Sequence, residues 1–242
     1  MEDITVVGIV ISAMPYREKD KLINLFSVEL GKVTAILKGV SAPKSKLKFA
    51  GQPFCFGKFE LTGSKDFYTV KGVELIDSFF DLTLDYDNYT LASSMLELSS
   101  VILKPGIIAE NMFLCLIKTL QNIVYNNIDA KLSIAKFYIS VLDMIGYGLN
   151  FVACDNCGLK FIGDIKFNSE TGTFRCIACS GGVRVDKRDF MTLKIISTTE
   201  IERLHTLKIN SVTLNASIKL LLTDLSERLN IKFKTIKIGD FV

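Results

Sequence analysis

The chain has 242 residues, 49% of them hydrophobic and 23% charged, with a formal net charge of +3 and a single histidine. That length allows one large domain or two to three small ones, with apolar content ample for buried cores. No apolar run approaches the roughly 18 residues of a membrane helix, and the acidic start Met1, Glu2, Asp3, Ile4 carries no signal-peptide pattern, so a soluble, cytoplasmic protein is expected.

The first 76 residues read as β-structure. Residues 4–11 are rich in β-branched side chains, and residues 21–28 and 32–37 flank Glu29, Leu30 and Gly31, a hairpin turn. Residues 39–52 form a polar, basic loop around Pro43. Residues 53–61 and 67–75 are two further strands, joined through Thr62, Gly63, Ser64, Lys65 and Asp66. Five short strands with no long helix between them predict a small barrel, with the OB-fold as the leading candidate.

Charge is uneven along the chain. Between Lys32 and Lys71 stand eight lysines against two acids, whereas residues 76–150 hold eight acids against four lysines. From residue 151 onward the balance turns basic again, 14 against 10. Lys32, Lys38, Lys44, Lys46 and Lys48 are therefore candidates for an anionic partner. Lysine outnumbers arginine 23 to 6, which favours phosphate contact over bidentate reading of bases. Phe49, Phe54, Phe56, Phe59, Phe67 and Tyr68 lie close by in sequence. OB-folds stack single strands on such rings, although barrel core is the plainer role for each.

After Asp77 the period changes to three-to-four, predicting helices over 89–103, 108–125 and 130–145, with Asp129 as a cap for the third. Helical spacing returns over 186–196, 199–207 and 212–229. The last of these places Leu214, Ile218, Leu221, Leu222 and Leu225 on one face.

Between these helical stretches lie Cys154, Cys157, Cys176 and Cys179. They form two C-x-x-C pairs with 18 residues between them, the spacing of a four-thiolate structural zinc site. Asp155, Asn156 and Gly158 surround the first pair, Ser180, Gly181 and Gly182 follow the second, and the segment between reads as a hairpin turning at residues 168–172. This is the outline of a zinc ribbon, and so short a segment needs its Zn2+ to fold. Disulfides require an oxidising compartment, and a redox dithiol would usually appear once beside a βαβ pattern. A zinc or iron–sulfur redox protein is thus the lesser reading. Four thiolates also leave no open position for catalytic water. Cys55 and Cys115 stand in apolar surroundings and read as small buried hydrophobes. His205 is expected on a helix surface rather than in a catalytic triad, and no phosphate-binding glycine loop occurs. Nothing requires an enzyme.

The chain is thus expected to be an α+β multidomain protein. Residues 1–78 form an OB-fold β-barrel and 79–150 the first part of an α-helical domain; 151–185 form an inserted four-cysteine zinc ribbon and 186–242 the second helical part. This order resembles the RecO family of bacterial recombination mediators. Gly8 to Ile11 with the turn from Tyr16 to Lys21, Leu25 to Lys32 with Lys38, Gly39 and Val40, Pro43 to Lys46, Gln52, Pro53 and Phe54, Gly57 to Leu61, and Gly146, Tyr147 and Gly148 leading into Cys154 carry the resemblance.

The resemblance implies DNA repair and recombination without enzymatic activity. It implies binding of single- and double-stranded DNA, annealing of strands coated by single-strand-binding protein, and loading of RecA together with RecR and, in many bacteria, RecF. Lys38, Lys44, Lys46 and Lys48 become the DNA-contacting candidates, and the helical domain would receive the acidic C-terminal tail of single-strand-binding protein. Ser41 and Ala42 stand where the family commonly has arginines, and the chain end from Asn230 to Lys237 lacks the family's arginine-containing helix end. A ribbon-type RNA-binding or transcription factor is the rival.

Overall fold

The computed structural model describes residues 2–64 and 67–241; Lys65 and Asp66 of the expected turn, with Met1 and Val242, lie outside the described residues. The chain divides into two compact units, one of residues 1–89 and 95–117, the other of residues 90–94 and 118–242.

In the first unit, β1 (Glu2–Tyr16), β2 (Asp20–Ser27), β3 (Gly31–Leu37), β4 (Phe56–Ser64) and β5 (Phe67–Asp77) close into a barrel in the order β1-β2-β3-β5-β4. β1 runs antiparallel to both β2 and β4, whereas β3 meets β5 in parallel at Ala35/Tyr68 and Ile36/Thr69. That is the OB-fold topology expected from the strand count. β1 is longer than the β-branched run alone predicts. A register shift between Val10 and Ser12 bends it, so that one strand serves two neighbours.

Alternation sends Val10, Ile23, Leu25, Val33, Ala35, Phe59 and Leu61 into the barrel core. Each fully buried Val, Ile, Leu or Phe side chain among them contributes about 1.5–3 kcal/mol. The same alternation sends Phe26 and Phe56 outward, where they need cover. Phe113 of a helix supplies it, with ring centroids 5.2 Å and 6.0 Å away, and Phe79 stacks on Phe56 at 6.5 Å. The helices α1 (Tyr86–Ile102) and α2 (Glu110–Val124) each contribute residues to the barrel unit. Asp85 caps α1 by accepting the Asn88 N–H.

The second unit contains α3 (Ala130–Met144), a three-stranded sheet β6 (Ile165–Asn168), β7 (Thr173–Cys176) and β8 (Val183–Val185), then α4 (Lys187–Thr198) and α5 (Ser211–Arg228). Asp129 caps α3 as its sequence position predicts, accepting from the Leu132 N–H at 3.0 Å. Leu214, Ile218, Leu221, Leu222 and Leu225 are all buried. Two expectations change. Residues 199–207, read as a helix, form only a 3-10 turn, Ile201–Thr206. β8 was not anticipated, because three residues are too short to display a period of two.

Arg228 ties the end of α5 to the ribbon approach. Its Nε donates to Asp224 Oδ1 at 2.6 Å, Nη1 donates to the Tyr147 carbonyl at 3.0 Å, and Nη2 donates to the carbonyl of Gly172 in the β6–β7 turn. Gly172 has φ +59°, which favours glycine, and a Cβ there would displace the Arg228 guanidinium from its place.

Candidate metal centre and basic loop

The first C-x-x-C pair sits in a tight turn. The Cys154 N–H donates to the Leu159 carbonyl and the Gly158 N–H to the Cys154 carbonyl, both at 2.8 Å, with Gly158 at φ +73°. The second pair follows β7, where the Cys179 N–H donates to the Cys176 carbonyl at 3.2 Å. The Asp155 N–H donates to the Phe174 carbonyl at 3.1 Å and joins the first turn to the hairpin.

These turns bring all four Sγ atoms within 4.8 Å of one another. Cys154 and Cys179 are 3.7 Å apart, Cys157 and Cys176 3.8 Å, and Cys176 and Cys179 3.5 Å. A tetrahedron with metal–sulfur bonds of about 2.3 Å has edges of about 3.8 Å. Bonded disulfide sulfurs would stand about 2.05 Å apart. The donor set therefore fits one four-coordinate metal ion, held by Cys154, Cys157, Cys176 and Cys179. Among the described residues no other histidine, cysteine and carboxylate group gathers in this way.

The thiols differ before any ion binds. Burial pushes Cys154 up, but the amides of Cys176, Cys157 and Asn156 donate toward its sulfur and bring it down to about 6. Cys157 gains from the Leu159 amide, yet its neighbouring sulfurs outweigh that and push it up to about 11. Outside the four ligands, Asn156 Nδ2 donates to Cys179 Sγ at 3.4 Å, and Lys166 Nζ donates to the Cys179 carbonyl. Such partners orient ligands and tune metal affinity.

The ribbon is not held by its thiolates alone. Phe174 is fully buried, and Phe190 of α4 meets it at 4.9 Å; Phe190 also meets Phe151 at 5.5 Å and Phe161 at 5.2 Å. The ribbon segment by itself has too little apolar surface to fold without a metal, and the Phe190 ring supplied by α4 adds apolar cover that its own sequence lacks. Beside these rings lies a cleft of about 240 Å³ lined by Phe151, Phe161, Phe190 and Met191, with Lys160, Lys187 and Lys194 also on its walls.

In the barrel unit, Lys38, Lys44, Lys46 and Lys48 are all exposed. Their loop is anchored rather than loose. The Gly39 N–H donates to Asp20 Oδ1 at 2.8 Å, the Ser41 N–H to the Lys19 carbonyl at 3.0 Å, and Lys21 Nζ to the Gly51 carbonyl at 2.7 Å. Val40 and Ala50 are buried, and Leu47 and Phe49 pack against the barrel core. The lysines thus project from a frame fixed at both ends.

Lys32 differs. Its Nζ donates to the Ser100 carbonyl at 2.7 Å in the last turn of α1, where a cation complements the helix dipole, and burial lowers its pKa. It is engaged within the fold. Of the six aromatic side chains near the loop, Phe54 and Phe59 are buried, Phe49 and Tyr68 pack on the core, and Phe56 stacks on Phe79. Phe67 alone among them is exposed, beside the β4–β5 connection.

Sequence reasoning missed Arg17 and Lys19. Both are exposed in the β1–β2 turn, next to the lysine loop through the Lys19–Ser41 hydrogen bond. The OB-fold's β1–β2 loop, a usual ligand-binding element, was the available signal. Cys55 and Cys115 are buried, and Cys55 is pushed up to about 12 by its surroundings. His205 is exposed, its Nδ1 3.0 Å from the Glu202 carbonyl oxygen. No helix among the described residues is long and apolar enough to cross a membrane.

An OB-fold barrel carrying an anchored basic loop, in one chain with a helical unit that carries a four-cysteine ribbon, defines a class of two-unit proteins whose cysteine cluster could hold a metal ion. The chain belongs to the RecO family. Residues 1–79 match the family model for the N-terminal part of recombination protein O, and residues 83–236 match that for its C-terminal part.

Similar proteins include a DNA repair protein RecO of Clostridium novyi, 29% identical over 97% of this chain and 93% of that protein. A DNA repair protein RecO of Caldicellulosiruptor saccharolyticus is 26% identical over 100% of this chain and 98% of its own length. One from Clostridium kluyveri is 32% identical over 63% of this chain and 60% of its own.

Proposed function

We propose that this chain is a DNA repair and recombination mediator that works by binding rather than by catalysis. Membership of the RecO family carries the mediator role. The observation that carries the DNA reading is the anchored loop, which offers Lys38, Lys44, Lys46 and Lys48 to phosphate from a backbone with little ordering entropy left to lose. Arg17 and Lys19 join the same footprint, and Phe67 is the stacking platform. Lys32, engaged with Ser100, leaves it.

The ion is zinc, since four thiolates in a tetrahedron suit it, and it closes the ribbon without an open position for substrate. When bound, it supplies structure and no reaction. Single- and double-stranded DNA are the ligands. Strand annealing follows when the loop neutralises phosphates and two strands approach each other. RecR is the working partner, with RecF and RecA beyond it, in the bacterial cytoplasm at the nucleoid. The acidic C-terminal tail of single-strand-binding protein docks on the helical unit, and the lysine-lined cleft of Phe151, Phe161 and Phe190 has the chemistry for it.

Annealing of complementary strands coated with single-strand-binding protein, with and without its acidic tail, tests the reading. Stimulation that depends on the tail is expected. Preference for RNA without annealing would instead support the ribbon-type RNA-binding or transcription factor, and rapid alkylation of Cys154 in metal-loaded protein would support thiol redox chemistry.

A further inference from the structure

Beyond the Ile36/Thr69 pair, β5 is hydrogen-bonded to β4 on one side, and among the described residues no strand pairs with its other side over residues 71–76. An unpaired strand edge is a template for another strand, and proteins usually blunt it. Here the edge continues into apolar surface: Leu75 is 44% exposed, Ile76 49%, Phe80 63%, Leu84 73% and Tyr86 81%. So many large apolar side chains in twelve consecutive residues mark an interaction site rather than scattered surface.

Charge selects the occupant. From residue 72 to residue 103 the chain holds six carboxylates and no lysine or arginine. Glu74, Asp81, Asp85 and Asp87 are exposed along the apolar stretch; Glu74 is paired with Lys58 of β4 at 3.1 Å and Asp85 caps α1, which leaves Asp81 and Asp87 as the acids open to an incoming cation. A second copy pairing through the same edge would bring these acids against their own kind, which disfavours self-association. A strand that alternates basic and apolar residues gains backbone hydrogen bonds, apolar cover and opposite charge together. Lys71, exposed at the other end of the edge, repels basic residues there, so opposite charge favours the end toward Asp81 and Asp87.

We infer that the free edge of β5, with the apolar stretch that follows it, docks an extended basic segment of a partner protein by strand addition. The surface uses neither the lysine loop nor the thiolates, and its test does not involve DNA.

The probe is a synthetic nonapeptide alternating lysine and valine, with a glutamate–valine twin, titrated into isotope-labelled full chain while amide hydrogen exchange is followed by NMR. The lysine peptide slows exchange of the outward-facing amides over residues 71–76, by about tenfold at ten times its dissociation constant. Leu75→Lys and, separately, Ile76→Lys abolish that slowing while the dispersed barrel spectrum persists. Absence of slowing, equal slowing by the glutamate twin, or perturbation confined to other surfaces overturns the inference. Slowing in the chain alone on concentration also overturns it, since a second copy would then be the occupant.

Discussion

The lysine loop and the thiolate ribbon are both short, irregular excursions between regular elements, and they solve the problem of order in opposite ways. The loop from Lys38 to Gln52 has only a few apolar anchors, Val40 and Ala50 among them, and borrows its rigidity from hydrogen bonds to Lys19, Asp20 and Lys21. It keeps every one of its lysines in water. The ribbon turns its functional side chains inward upon one another. It is stitched by Asp155, Asn156, Lys166 and Arg228 and sealed by Phe174 and Phe190. A charged surface element can exchange its side chains with little effect on stability, whereas a convergent donor set cannot.

The largest test of that contrast is Cys154→Ser or Cys179→Ser. A structural zinc contributes about 10–16 kcal/mol in isolated peptides. Here the aromatic cluster carries part of the ribbon, so the loss is smaller but still several kcal/mol. Metal analysis should fall from one zinc per chain to none and the melting transition should drop, while single-strand DNA binding through the barrel persists. A normally stable variant that lost DNA binding would reverse the assignment of roles.

Arg228→Ala comes next. It strands buried Asp224 and frees the Tyr147 and Gly172 carbonyls, and should cost about 3–5 kcal/mol in urea unfolding.

Asp224 itself supplies a pH test. Burial pushes its carboxyl up to about 6 despite Arg228 pulling it down. Because the folded-state value is raised, the folded protein holds more protons than the unfolded chain between about pH 4 and 6, and this group makes stability fall as pH rises through that window, by about 3 kcal/mol at most. The difference in unfolding free energy between wild type and Asp224→Asn should follow that slope and flatten above pH 7; a pH-independent difference would remove the effect.

Lys44→Glu with Lys46→Glu should weaken single-strand binding without moving the melting temperature. With about five phosphate contacts, log affinity falls with log salt at a slope near −3.5, and losing two contacts brings it to about −2. An unchanged slope takes the loop out of the DNA footprint. Lys32→Met is the smallest. It should cost up to about 1 kcal/mol through the end of α1 and leave the salt slope as it was.

Much of this was legible in the sequence. The C-x-x-C spacing names the four cysteines that cluster, because two intervening residues dictate a local turn. The turn at Glu29, Leu30 and Gly31 between two apolar runs names β2 and β3, and the apolar face of α5 follows from its leucine spacing. Lys32 was not legible. It sits in the same basic run as Lys38, and only the arrival of Ser100, sixty-eight residues later, engages its ammonium within the fold. Arg17 and Lys19 were passed over for the opposite reason, since they lie outside that run and join it only through a hydrogen bond to Ser41.

By itself, then, the sequence determined which residues form the barrel, the helices and the thiolate cluster, because periodicity, turn chemistry and ligand spacing act over a few residues. Tertiary structure alone decided which lysines face water, which aromatic rings become core, that Phe190 completes the ribbon, and that β5 keeps a free edge. Those outcomes depend on contacts between residues far apart in the chain, and no local pattern encodes them.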